Sequence, residues 1–336
     1  MSGVRKNKSD YSLPRRVYRG KSAYEWRPKD GGAIRLCSLD ASISEVWYCW
    51  EKAVNSANED STVAGLISLF FQSADFEALG QETQRDYHKY SKKVLKVFRK
   101  VHVDDVEPRH VRLYMDKRGI ASRVQANREH AFLSRCFRYG YERGLCKINP
   151  CQGVRKFKET SRKRYVTDAE YQALYSYASA VVKVAMELAY LCCARQGDIL
   201  KMRTSQLLEN GIFIAQSKTG TEQIKLWSPR LRAAIELAKS LPQPGVSSTF
   251  VVCKEDGSAW SRDGFISRWA RDRNTARKAT GLALDFTFHD LKAKGISDIP
   301  GTLEEKQAIS GHKSVGQTAR SDRKVKEVSS VDSTQK

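Results

Sequence analysis

The run AVVKVAMELAYLCCA at residues 180–194 constrains this chain more than any other stretch. It is nearly all apolar, too short for a bilayer that needs roughly 20 apolar residues, and suited to a helix buried on every side. A fold that buries such a helix must wrap other elements around it. The run delivers Arg195 at its end, which sets that guanidinium in the wall of a core. Asp198, three residues on, is placed to hold it by a bidentate pair.

The chain has 336 residues, enough for two or three domains with separate cores. Lys and Arg number 59 against 38 Asp and Glu, a formal net charge of +21. Such a surplus repels itself on a folded surface, and a polyanionic partner is the economical explanation. Nucleic acid fits that partner better than a membrane, because no basic amphipathic helix stands out as an anchor. Residues 1–10 are polar and lack an apolar h-region, so no secretory signal is expected and the expected location is the cytoplasm. The eight cysteines are scattered without a C-x-x-C pair, which reads as reduced core thiols.

Residues 1–35 hold ten Lys/Arg against three acids. Short apolar-aromatic segments there, punctuated by Gly20, Pro28 and Gly31-Gly32, predict a small basic β-meander or a flexible arm, with Arg15, Arg16 and Arg19 as DNA contacts. From Ser42 the period turns helical: Ile43, Val46, Trp47, Trp50 and Val54 share a face, and a loop is expected at 55–60. Further helices are expected around Val63 to Phe70, over 81–100, from Pro108 to a stop at Gly119, and over 122–143 with Gly144 closing. The 81–100 helix has a basic side, on which Lys92, Lys93 and Lys96 read as DNA-binding.

Residues 153–164 carry Arg155, Lys156, Lys158, Arg162, Lys163 and Arg164 against Glu159 alone. Such a run cannot bury itself, so it should lie along a phosphate backbone or stay mobile. Thr167-x-x-Glu170 is a capping box that opens the next unit, with Val166 and Tyr171 at the staple positions. Past Arg195, Asn210-Gly211, Ile212 to Ile214, a tip at Lys218-Thr219-Gly220 and a strand to Trp227 read as a hairpin. A helix from Ser228-Pro229, an extended segment at Phe250 to Val252 and a helix over 261–278 follow, the last presenting Arg268 and Arg271. Capping boxes at Thr302-x-x-Glu305 and Ser314-x-x-Gln317 place short helices on either side of Gly311-His312.

The expected organisation is a basic N-terminal module (1–58), an all-helical unit (59–153), a basic linker (154–164), a mixed α/β unit (165–328) and a disordered tail (329–336). The fold class is therefore mainly α with small β elements.

Taken together and in this order, the motifs resemble the tyrosine recombinase family, and within it phage-type integrases. The resemblance is most specific from 164 to 326, weaker in the helical unit, and weakest in the N-terminal module, which is similar to arm-site DNA-binding regions. Arg195 in A-R-Q-G-D resembles the family's first arginine, with Asp198 at the supporting acidic position. Lys218 in S-K-T-G resembles its mobile lysine. His289 opens an H-x-x-[R] motif, and His312 in G-H-K-S resembles the second histidine. Two positions depart: Lys292 stands where a second arginine is usual, and Ser321, nine residues after His312, stands where the nucleophilic tyrosine is expected.

The chemistry explains those residue types. Cleaving a phosphodiester builds negative charge on non-bridging oxygens, which arginine forks stabilise. Lys292 supplies charge without the fork. Lys218 can protonate a departing 5′ oxygen, and the two histidines can donate hydrogen bonds or move a proton. By resemblance, a tyrosine then forms a 3′-phosphotyrosyl link that conserves the bond energy, so no cofactor or metal is needed. No tyrosine occurs after Tyr190, so neither this chain's catalytic half nor an identical subunit offers a substitute phenol. An aliphatic hydroxyl is far less acidic than a phenol with its pKa near about 10. The resemblance thus implies a site-specific recombinase on double-stranded DNA, assembled as a homotetramer, that binds but does not cleave. The alternative is a non-catalytic protein that occupies recombination sites and regulates an active relative. A helix-turn-helix regulator fits less well, since it has no need of the Arg195–Lys218–His289–His312 order. A helical unit and a catalytic unit should close on duplex DNA as a clamp.

Overall fold

Contacts divide the chain at Thr160/Ser161 into two units, inside the basic run that the sequence marks as a linker. In the computed structural model the described residues are 10–28, 32–160, 162–325, 327, 328 and 330, with backbone alone for 55–60. The expected disordered tail lies outside them apart from Ser330.

In the first unit, alternation of Val17, Tyr24 and their neighbours produces an antiparallel meander of β1 (Val17–Arg19), β2 (Ala23–Trp26) and β3 (Ile34–Ser38). Leu13, Val17 and Tyr24 bury against Val46 of α1 (Ile43–Asp60), with Trp50 packed beside them. The expected loop at 55–60 is instead the last part of α1. Those residues include neither Gly nor Pro, so nothing local stops the helix.

Four further helices and one short turn complete this unit: α2 (Val63–Phe71), α3 (Ala74–Glu77), α4 (Gln81–Phe98), α5 (Pro108–Ala121) and α6 (Arg123–Glu142). Their apolar stripes meet in a core of Val63, Leu66, Phe70, Val94, Val111, Phe132 and Phe137. Buried Glu129 accepts from Tyr114 Oη at 2.7 Å and Arg118 Nε at 2.9 Å, tying α5 to α6. Gly144 at φ +69° closes α6, as its sequence position predicts. Gly119 does not close α5, which runs on to Ala121. A Cβ at Gly119 would sit 2.6 Å from the Phe157 ring, and that ring also lies 4.8 Å from the Arg112 guanidinium. Asn127 clasps Phe157 through both its backbone N and O, each at 2.8 Å. The first part of the basic run is therefore pinned to its own unit rather than free.

The second unit is built around α8 (Ala180–Leu191), which follows α7 (Asp168–Tyr177) and its capping box at Thr167 and Glu170. Val182, Val184, Ala185, Met186, Leu188 and Ala189 of α8 are buried to 0% exposure, which bears out a helix enclosed on all sides. It ends three residues earlier than its apolar run, in a turn where Cys193 takes φ +50°. Next come α9 (Gln196–Lys201), the antiparallel hairpin β4 (Gly211–Ala215) and β5 (Glu222–Leu226), α10 (Pro229–Lys239) and α11 (Arg262–Thr280). The segment around Phe250 forms no strand, only an isolated bridge to Arg203. The unit closes with α12 (Phe288–Asp298), α13 (Leu303–Ser310) and α14 (Val315–Ser321). Buried Glu187 on α8 accepts from Tyr171 at 2.9 Å and from Arg230 at 2.6 and 2.8 Å, fastening α7 and α10 to it. A Cβ on Gly295 of α12 would meet the Tyr190 carbonyl at 2.2 Å, so α12 lies directly on α8. Of the two capping boxes near His312, the one at Thr302 and Glu305 forms, while Ser314 caps α14 without a side-chain bond.

Candidate functional site

Four of the expected site residues converge on the ends of these elements. Arg195 is the N-cap of α9, immediately beyond the end of α8. His289 and Lys292 lie one turn apart on α12. His312 follows Gly311, whose φ of +67° ends α13. Their mutual approach shows in their ionisation: Lys292 feels the Arg195 charge, and His312 feels Lys292, Arg195 and His289.

Burial dominates each shift. Lys292 is 4% exposed and its pKa is pushed down to about 8, first by desolvation and then by Arg195. Its Nζ donates to the carbonyl of Cys193. His312 is pushed down to about 4 by desolvation and the surrounding cations. Its Nδ1 pairs with Thr318 Oγ1 at 3.2 Å. His289 keeps solvent access at its surface, yet crowding of the ring, with Lys292 and Arg323 nearby, lowers its pKa as well. Cations beside neutral imidazoles, with no carboxylate hydrogen-bonded to Lys292 among the described residues, suit an oxyanion.

Asp198 does not pair with Arg195. It accepts from Ser217 N at 3.1 Å and Ser217 Oγ at 2.6 Å, fixing the start of the hairpin tip. Arg195 Nη1 donates to Gln216 Oε1 at 2.5 Å instead. Three residues of separation across a helix cap leave the carboxylate facing the hairpin. Lys218 is exposed at the tip and is not brought into the cluster. Ser321, half-buried on the last turn of α14, donates its hydroxyl to the Gln317 carbonyl at 3.0 Å. Its own carbonyl accepts from Ser297 Oγ at 3.3 Å.

Three contributors escaped the sequence reading. Lys225 on β5 donates to the Ile309 carbonyl and to Gln223 Oε1 at 2.9 Å, and burial lowers its pKa. Period-two alternation, which puts Gln223 and Lys225 on one face, is the signal that could have found it. Arg323 donates to Asp290 Oδ1 at 2.5 Å and to the Arg164 carbonyl at 3.2 Å. Gln216 is the third.

The expected DNA contacts divide by freedom. Arg15, Lys92, Lys93, Lys96, Arg155, Lys156, Lys163 and Arg271 are exposed. Arg19 is exposed beside Asp10 at 3.4 Å, and Arg16 is half-buried at φ +63°. Arg162 donates to the Asp285 carbonyl at 2.5 Å. Arg164 is held between Glu170 and Asp285, and Arg268 lies 3.2 Å from Asp272. Those last three are engaged within the unit.

Residues 164–321 match the sequence profile of the phage integrase family. The integrase of Escherichia phage HK022 is 30% identical over 196 residues, covering 55% of this chain and 54% of that protein. The integrase of Escherichia phage lambda is 29% identical over 221 residues, covering 60% and 58%. The chain thus spans a little over half the length of these relatives. Among solved structures, a lambda integrase dimer bound to a COC′ core site superposes with TM-score 0.69 at 20% identity, covering 94% of this chain and 98% of that one. A lambda integrase tetramer bound to a Holliday junction gives 0.66 at 20% identity, over 90% and 96%. At that identity the likeness is one of fold. Among the described residues no helix is long and apolar enough to cross a membrane.

Proposed function

We propose that this chain, whose residues 164–321 match the phage integrase family profile, is a DNA-binding site-specific recombinase in which Ser321 has replaced the cleaving group. The observation that carries this reading is the convergence of Arg195, His289, Lys292 and His312 at the ends of α8, α12 and α13, close enough for their charges to act on one another. In this role Arg195 and Lys292 neutralise a phosphate, and His289 and His312 donate hydrogen bonds to it. Lys218 reaches the leaving oxygen when the hairpin tip bends inward over bound DNA.

Residues 1–58 serve as an arm-type module, 59–153 as a core-binding unit, 154–164 as a linker and 165–328 as the catalytic-type domain. The substrate is double-stranded DNA, four subunits assemble on it, and the setting is the cytoplasm of a bacterial host cell. The free cations Lys92, Lys93, Lys96, Lys156 and Arg271 supply phosphate contacts.

Ser321 argues for binding without cutting. Its hydroxyl is far less acidic than a phenol, and it is turned back onto its own helix. That favours a second reading, in which the chain occupies recombination sites and competes with an active relative. Co-expression with an active integrase separates the two: a competitor lowers recombination in proportion to its dose, whereas an independent recombinase does not. The recombinase reading itself is checked by a nicked suicide att-type duplex, on which the Ser321→Tyr chain should form a covalent adduct.

A further inference from the structure

We infer that Gln216 is a positioning residue that locks Arg195 to the turn carrying His312, a role that rests on the phosphate-handling reading above. Gln216 is 5% exposed at the end of β4. Its Oε1 accepts from Arg195 Nη1 at 2.5 Å and from Thr219 Oγ1 at 3.1 Å. Its Nε2 donates to the Ser310 carbonyl at 3.0 Å. These partners fix which way the amide points: a guanidinium needs the oxygen and a carbonyl needs the nitrogen.

The last three carbonyls of α13 have no partner within the helix. Hairpin side chains satisfy them in sequence. Gln223 takes Ala308 at 2.5 Å, Lys225 takes Ile309, and Gln216 takes Ser310. Gly311 permits this docking, since a Cβ there would lie 2.4 Å from Gln216 Nε2. Of the three caps, Gln216 alone also holds Arg195 among the described contacts. One amide therefore sets the spacing between the arginine and the His312 turn, and through Thr219 it also fixes the base of the tip that bears Lys218. An angstrom of drift between such groups is enough to slow phosphoryl chemistry by orders of magnitude.

The full-length chain supplies the test. In the unaltered Ser321 background, ring-labelled histidine NMR should show the His312 resonance moving in Gln216→Leu. In the Ser321→Tyr background, single-turnover adduct formation at saturating DNA should slow by about tenfold or more in Gln216→Leu, with DNA affinity held within about threefold. Gln223→Leu, which removes a neighbouring cap without touching Arg195, should slow it by less than about threefold. If Gln216→Leu does not fold, Gln216→Met replaces it, because it keeps the side-chain length, loses both the acceptor for Arg195 and the donor to Ser310, and should still move His312. An unmoved His312 resonance in a folded Gln216 variant, or equal slowing by Gln223→Leu, overturns the inference. If Ser321→Tyr yields no adduct while Gln216→Leu still moves His312, the positioning role stands and the recombinase reading falls.

Discussion

Lys292 donates its ammonium proton to the backbone carbonyl of Cys193, a non-glycine residue held at φ +50°. The left-handed turn at the end of α8 is what brings that carbonyl within reach of α12. A lysine with three donors is left with capacity for an anion, in a pocket where burial has already made its charge expensive. The site is therefore least comfortable when empty, and a phosphate would relieve it.

That discomfort predicts a stabilising substitution. Lys292→Met should raise unfolding free energy near neutral pH by about 1–3 kcal/mol, since an apolar side chain removes the desolvation penalty. Below pH about 8 the folded lysine is charged at a cost. Between that and its unfolded value near about 10.5 the unfolded state binds the extra proton, so native stability climbs with pH and the variant's advantage shrinks. Denaturant titrations across that range measure it.

His312 gives the opposite end of the profile. It stays neutral in the fold down to about pH 4, while an unfolded histidine protonates near about 6.5. The unfolded state therefore holds more protons between those values, and stability falls as pH drops through that window by up to about 3 kcal/mol. Replacing His312 with Gln should flatten this acid-side slope in urea titrations.

Packing against α8 sets a third expectation. Gly295→Ala forces a Cβ to 2.2 Å from the Tyr190 carbonyl, a backbone atom that cannot swing away. The second unit should lose about 1–3 kcal/mol or more, read as a lower melting temperature. Gly316→Ala, which meets nothing within 4 Å, is the control.

Salt dependence distinguishes free cations from engaged ones. Binding to duplex DNA should weaken linearly in log salt, and Lys92→Gln should reduce the slope by about 1. Arg164→Gln should instead lower stability, because Arg164 is clasped by Glu170 and Asp285.

Much of this architecture was legible in the sequence because local signals agreed with it. The start of the apolar run at Ala180, the box at Thr167 and Glu170, and Gly144 each state a boundary that the fold keeps. That Arg195, His289, Lys292 and His312 should share a site was expected through the family resemblance that their types and order carry, whereas Lys218, expected with them, stays exposed at the hairpin tip. What stayed hidden depends on distant pairing. Asp198 was expected on Arg195, yet the cap geometry turns it to Ser217. Gln216 looks like any polar residue before a hairpin tip until Ser310 and Arg195 arrive beside it. Phe157, inside a run read as pure charge, is pinned by Asn127, thirty residues back in the chain.

The central claim is that this pocket grips a phosphodiester and lacks only the group that cuts it. Its most direct test incubates the unaltered chain and Ser321→Tyr, side by side, with a nicked suicide att-type duplex and resolves covalent protein–DNA adduct on a denaturing gel. Both proteins should bind, and Ser321→Tyr alone should form adduct. Abundant adduct from the unaltered chain would contradict the claim.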